Sequence, residues 1–118
     1  MARRSIEELI HLYYEGWATQ NRSQVRDLLE DELLFTSPQD RFESAESFLS
    51  TCWKYSTGLA GVRFVAEIFE EDEAFVILRW LNEDGTSFAD AEYVRVAGGR
   101  ISEILVVNND PSFAKLLR

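Results

Sequence analysis

Four segments with the side-chain alternation of β-strands fill the second half of the chain and constrain its fold most strongly. They run over 62–69, 74–81, 88–96 and 101–107. The connections between them are short and contain Glu71-Asp72, Asn82-Glu83-Asp84-Gly85 and Gly98-Gly99, residue types that favour tight turns. Because short connections join antiparallel neighbours, this pattern predicts a four-stranded antiparallel meander.

The first half of the chain predicts three helices and one short strand. Ser5 and Glu8 form a capping box, and an apolar stripe with helical spacing follows, made of Ile6, Leu9, Ile10, Tyr13, Tyr14 and Trp17. Ser23 is predicted to cap a second helix and Ser44 a third. Between them, 33–36 predicts a strand that Ser37-Pro38 stops, and 39–43 predicts a polar loop. A short helix after Asp110-Pro111 closes the chain.

Length and composition exclude several classes of protein. With 118 residues we expect one α+β domain over 1–118, and the net charge of -9 disfavours nucleic acid and anionic membranes as partners. The single Cys52 excludes an intramolecular disulfide, and no spacing of Cys or His predicts a metal site. No signal peptide, membrane span or cofactor motif is evident, so we expect a cytoplasmic protein without a cofactor.

Two acids lie on a mostly apolar row of the third predicted strand of the meander. Alternation puts Phe88, Asp90, Glu92, Val94 and Val96 on one face of that strand. A carboxylate removed from water must be paired, protonated or used, since unpaired burial is costly. Either this is a solvated face of the sheet, or the acids form a polar spot inside a pocket.

Two strand segments, 74–81 and 104–107, are apolar on both faces. Such strands are covered on both sides, yet the predicted helices can cover only one face of a single sheet. We therefore expect a homodimer that packs through the outer sheet face. The lone His11 lies off the helical stripe and is interpreted as a surface residue.

The order of these elements, ending in Gly98-Gly99-Arg100-Ile101, resembles the cone-shaped fold of the nuclear transport factor 2 superfamily. Within that superfamily the chain is most similar to SnoaL-like and ketosteroid-isomerase-like proteins. The resemblance implies helices packed on a curved antiparallel or mixed sheet around an internal pocket.

The same resemblance implies a set of catalytic candidates. The family's tyrosine on the first helix falls on Tyr13 and its oxyanion-binding acid on Glu92, with a hydrogen bond expected between the two. The family's catalytic base is replaced by Ser37, which cannot take a proton from carbon unaided. Asp90 or Asp40 could serve as the base instead.

The implied pocket would take a small apolar organic ligand. Its expected lining is Trp17, Phe48, Trp53, Phe88, Ile104, Val106 and Asn108. Burial in such surroundings favours a neutral acid, so we expect a raised pKa for Glu92.

Three functions remain open at this point. The first is ligand binding with isomerase- or cyclase-like proton transfer. The second is a non-catalytic dimeric binding or structural protein, in which the acid and tyrosine only satisfy each other. The third is epoxide hydrolysis, in which Arg79 would bridge Asp90 and Glu92 while Tyr13 and Asn108 orient water. That third function requires Arg79 to face the two acids.

Overall fold

The computed structural model describes residues 5–109, and within that range the helices precede or interrupt a six-stranded sheet. The helices are α1 (Ile6–Ala18), α2 (Arg22–Asp27) and α3 (Ala45–Cys52), and α3 continues into a 3-10 turn at Trp53–Ser56. The strands are β1 (Leu29–Thr36), β2 (Arg41–Phe42), β3 (Leu59–Phe69), β4 (Glu73–Asn82), β5 (Ser87–Ala97) and β6 (Arg100–Asn109). The helix expected after Asp110 lies outside the described residues.

Side-chain caps fix the start of each helix. The hydroxyl of Ser5 accepts from the backbone N–H of Glu8 at 3.2 Å, and the hydroxyl of Ser44 opens α3 in the same way. The cap predicted for α2 is wrong: Asn21 caps it by accepting from the N–H of Gln24, so α2 begins at Arg22. Asparagine and serine are comparable caps, and here the hydroxyl of Ser23 donates to the Asn21 side chain instead.

The predicted meander is confirmed, because β3, β4, β5 and β6 pair in sequence as antiparallel neighbours. The complete sheet has the order β2-β1-β6-β5-β4-β3, and β1 runs parallel to β6. β1 is longer than expected, since it starts at Leu29, whose backbone pairs with Ile101. The expected loop over 39–43 contains the short strand β2, which pairs with the end of β1.

The helices cover one face of this sheet and leave the other face open in the described chain. The inner face of β4 contributes Ala74, Val76, Leu78 and Trp80, all buried. The outer face carries large apolar side chains that are more than a third exposed: Phe75, Ile77, Leu81, Leu105 and Val107. The architecture is therefore α+β with a core between the helices and the inner sheet face.

His11 lies at the contact between α1 and β3 rather than free on the surface. Its ring stacks on Phe64 with a centroid distance of 4.3 Å and pairs with the carboxylate of Glu67. It is not among the residues that line the cavity described below.

None of the helices between residues 5 and 109 is long and apolar enough to cross a membrane.

Candidate functional site

β5 places two acids inside the protein. Asp90 is 7% exposed and Glu92 is 6% exposed, so the interpretation of this row as a solvated face is wrong. Across the inner face, Glu92 is paired with Val76 of β4 and with Val106 of β6. The alternation of the strand thus puts both carboxyl groups among hydrocarbon, where an isolated charge is costly.

Each acid receives a hydrogen bond from an aromatic side chain. The hydroxyl of Tyr14 donates to Oε1 of Glu92 at 2.8 Å. The indole Nε1–H of Trp80 donates to Oδ2 of Asp90 at 3.2 Å. The second carboxyl oxygen of Asp90, Oδ1, is buried and has no hydrogen-bond partner among the described residues.

The prediction that Tyr13 donates a hydrogen bond to Glu92 is wrong, because the neighbouring Tyr14 is the donor. Successive side chains on an α-helix are about 100° apart, so the two rings cannot point the same way. The ring of Tyr14 faces the sheet, at 6.0 Å from the ring of Trp80. The ring of Tyr13 meets Trp17 edge-on at 6.5 Å and lines the cavity.

The two acids interact closely enough to change each other's ionisation. Burial raises the pKa of Glu92 well above its ordinary value, and the negative charge of Asp90 raises it further. Burial also raises the pKa of Asp90, but hydrogen bonding with Glu92 and Trp80 opposes this rise. The pKa of each acid is raised, that of Glu92 the more, so the two titrate as a pair that shares a proton.

Tyr13, Tyr14 and Cys52 of the cavity hold their protons at neutral pH. Burial, followed by the nearby Glu92 carboxyl group, raises the pKa of both Tyr13 and Tyr14 well above the ordinary value, so both hydroxyls stay protonated, and that of Tyr14 donates to Glu92. Burial raises the pKa of the Cys52 thiol to about 12, which leaves it unreactive.

These groups border a cavity of about 90 Å³ between the helices and the sheet. Four of the expected lining residues do line it: Trp17, Phe48, Phe88 and Val106. Trp53 instead packs against Trp17 at 4.6 Å, and Ile104 is buried without lining the cavity. The side chain of Asn108 lies outside the described residues.

The sequence interpretation missed several lining residues, of which Trp80 matters most. Its segment is apolar on both faces, so alternation alone could not show which side chains point inward. The register of β4 against β5 pairs Trp80 with Phe88 and Leu78 with Asp90, which puts the indole one diagonal step from the Asp90 carboxylate. The other missed lining residues are Tyr14, Phe35, Gln39, Tyr55 and Leu59.

The two candidate replacement bases lie at different depths. Asp40 is exposed and borders the cavity beside Ser37, whose hydroxyl accepts from the N–H of Asp40 at 3.0 Å. Asp90 is buried in the cavity wall next to Glu92. The loop after β1 therefore forms the entrance, and Asp90 is the acid inside it.

Arg79 lies on the opposite face of the sheet from both acids. Its guanidinium donates to the hydroxyl of Ser87 at 3.0 Å, and its backbone pairs with Arg63 and Ala89. Since Asp90 and Glu92 face inward, Arg79 cannot bridge them. The epoxide hydrolase alternative is overturned by this placement.

Between residues 5 and 109, no cluster of three or more His, Cys, Asp or Glu could hold a metal ion.

Solved structures share this architecture over nearly the whole chain. One of them is a nuclear transport factor 2 (NTF2)-like protein of unknown function from Cytophaga hutchinsonii, which is 16% identical in sequence. The two structures superpose with a TM-score of 0.73, and the match covers 100% of both chains. The chain has the NTF2-like fold. Fold and cone-shaped architecture are thereby confirmed as the sequence predicted them.

Two other structures with the NTF2-like fold have names that refer to reactions. A proposed polyketide cyclase from Sinorhizobium meliloti is 11% identical, with a TM-score of 0.71, over 84% of this chain and 93% of its own. A proposed ketosteroid isomerase from Kribbella flavida is 12% identical, with a TM-score of 0.69, over 84% of this chain and 73% of its own. No protein-family model and no curated protein matches the sequence. At these identities the likeness shows the fold alone.

Proposed function

We propose that the protein binds a small organic ligand in the cavity and exchanges a proton with it, in an isomerase- or cyclase-like reaction. The observation that carries this proposal is the pair formed by Asp90 and Glu92 in an aromatic cavity that reaches the surface at Asp40. A pair of acids whose surroundings separate their pKa values is a common arrangement for acid–base catalysis. The cyclase and isomerase names of two structures with this fold agree with it.

The proposed roles follow from which acid holds the proton. Asp90, ionised, would accept a proton from a carbon next to the ligand's carbonyl or imine group. Glu92, protonated, would donate its proton to the oxygen or nitrogen on which negative charge develops. The hydrogen bond from Tyr14 holds the Glu92 carboxyl in place for this step. When the proton returns to a different carbon, the ligand is isomerised and both acids recover their starting state.

The volume of the cavity limits the size of the ligand. A volume of about 90 Å³ is smaller than the roughly 150 Å³ that encloses a benzene molecule in a protein interior. A four-ring steroid cannot be enclosed in this space. The proposed ligand is therefore a compact molecule, or a compact end of one whose remainder extends past Asp40.

The proposed proton transfer can be tested by following the exchange of hydrogen for deuterium at carbon in a small ketone. 2-Butanone is incubated in D₂O with the protein, and loss of its α-hydrogens is followed by NMR. We expect the protein to accelerate the exchange and Asp90→Asn to abolish the acceleration, because the amide is not a base. Asp72→Asn removes the same charge from the exposed β3–β4 turn and should exchange like the unmodified protein. An unmodified protein no faster than the buffer alone would contradict the proposed proton transfer.

A second candidate is a non-catalytic binding protein, favoured by the fact that both acids already have protein donors. In that case Asp90→Asn would change thermal stability, and neither protein would accelerate exchange.

We also propose that the chain forms a homodimer through the outer sheet face. Phe75, Tyr93 and Leu105 lie in one row across β4, β5 and β6. Ile77 and Val107 extend the apolar area of this face. A contiguous apolar surface of this kind is rarely left in water, and a two-fold pairing would cover it on both copies at once.

A further inference from the structure

The side chains that line the cavity carry negative charge, and the ammonium of Lys54 lies outside this lining, 5.3 Å from the centroid of the Tyr55 ring. The residues that line the cavity include three acids, Asp40, Asp90 and Glu92, and no Lys, Arg or His among the residues the structure describes. The chain as a whole has a net charge of -9, which favours cations over anions as ligands in general. Ligands with a positive charge are therefore drawn to this cavity and anions are repelled.

One acceptor in the wall lacks a fixed donor. Oδ2 of Asp90 accepts from the Trp80 indole, whereas Oδ1 has no donor among the described residues other than the acid proton shared with Glu92, and Asp90 as a whole is only 7% exposed. A buried carboxylate oxygen in this state costs free energy until a donor reaches it. A ligand that presents an N–H to Oδ1 would remove that cost, and a charged N–H makes the stronger bond.

Much of the remaining wall is aromatic, and ring faces attract cations more than they attract neutral groups. Seven rings border the cavity in addition to that of Tyr14: Tyr13, Trp17, Phe35, Phe48, Tyr55, Trp80 and Phe88. Aromatic walls beside a carboxylate form surroundings that proteins use to hold ammonium groups. A carboxylic acid or phosphate ligand would find no partner of opposite charge among the described residues that line the cavity.

From these three observations we infer that the ligand is a small organic cation, an aliphatic amine in its ammonium form or a protonated imine, whose N–H meets Oδ1 of Asp90. The inference rests on the proposed ligand cavity but not on the proton transfer. It also fits that step, since a protonated imine that gives a carbon-bound proton to Asp90 becomes a neutral enamine. The ligand then carries no negative charge, which suits a cavity whose lining, as far as the structure describes it, includes no Lys, Arg or His.

Three probes of nearly equal size and different charge test the inference. n-Butylammonium chloride, 1-butanol and sodium butanoate are titrated at neutral pH into ¹⁵N-labelled protein at constant ionic strength. The readout is the indole N–H signal of Trp80, because that group is bonded to the Asp90 carboxylate. Trp80→Phe assigns the signal.

We expect n-butylammonium to shift the Trp80 signal at a concentration about tenfold lower than 1-butanol needs, and butanoate to leave it unchanged. In Asp90→Asn the advantage of the ammonium over the alcohol should disappear. Asp72→Asn, which removes one exposed charge away from the cavity, should keep that advantage and so separate the site from general attraction to an acidic protein.

The outcomes separate the two proposals. If 1-butanol and n-butylammonium shift Trp80 at similar concentrations in the unmodified protein, the inferred cation is overturned and the ligand cavity stands. If none of the probes shifts Trp80, the cavity does not bind small molecules, and both proposals fail. Because the comparison of probes is made in the unmodified protein, it does not depend on whether Asp90→Asn folds.

Discussion

At the scale of single residues, two neighbouring tyrosines of α1 have different partners. Tyr14 donates a hydrogen bond to Glu92, and Tyr13 does not. Tyr13 and Tyr14 are both buried and aromatic, so composition and stripe pattern could not separate them. The rotation of α1 about its own axis decides which of the two tyrosines faces Glu92. That rotation depends on packing against β3 and β4, and the local sequence of α1 carries no information about this packing.

Removing each hydroxyl separately tests this assignment. Tyr14→Phe leaves Oε1 of Glu92 without its donor, so we expect the free energy of unfolding to fall by about 1–3 kcal/mol. Tyr13→Phe is the matched control and should cost less, since its hydroxyl does not donate to Glu92. Urea unfolding of both variants measures the difference. A larger loss for Tyr13→Phe would show that the assignment is wrong.

The acids themselves were predictable as a pair. The period of two along β5 puts Asp90 and Glu92 on the same face as Phe88 and Val94, and the structure has all four buried. Their partners were not predictable, because Tyr14 and Trp80 come from elements whose orientation and register depend on long-range contacts.

At the scale of elements, strand pattern and turn chemistry were enough to predict the meander. β3 to β6 extend the predicted segments by only a few residues at each end. β1 was harder to predict, because Glu30, Asp31 and Glu32 interrupt its apolar pattern. Its pairing with β6 is parallel and non-local, and a local pattern carries no information about such a partner.

The contact between α1 and α2 depends on the absence of a side chain at Gly16. A Cβ atom there would lie 2.6 Å from Cγ2 of Val25, a residue that is fully buried. We expect Gly16→Ala to destabilise the protein by about 1–3 kcal/mol, despite the higher helix propensity of alanine.

Gly61→Ala provides the control for this prediction. A Cβ at Gly61 would meet Cδ1 of Leu81 at 3.6 Å, an ordinary van der Waals contact. Thermal unfolding of the two variants should therefore show a clear loss for Gly16→Ala and little change for Gly61→Ala. Equal melting temperatures would contradict the packing described for α1 and α2.

At the scale of the whole molecule, the proposed homodimer makes a direct prediction. Leu105→Asp puts a charge into the apolar row of the outer sheet face, so we expect it to shift the protein from dimer to monomer. Thr51→Asp adds the same charge on the exposed side of α3 and should leave the dimer intact. Sedimentation equilibrium at micromolar concentration distinguishes the two, and a monomeric unmodified protein would refute the dimer.

A proton shared by Asp90 and Glu92 is central to the chemistry proposed for the cavity. ¹³C NMR titration of the Glu92 side-chain carboxyl measures this most directly. Because burial and the charge of Asp90 both raise its pKa, Glu92 should keep its proton well above the ordinary glutamate value of about 4.3. In Asp90→Asn the Glu92 pKa should fall, since the neighbouring charge is gone. A Glu92 that titrates like an exposed glutamate in both proteins would contradict the shared proton and, with it, the proposed proton transfer.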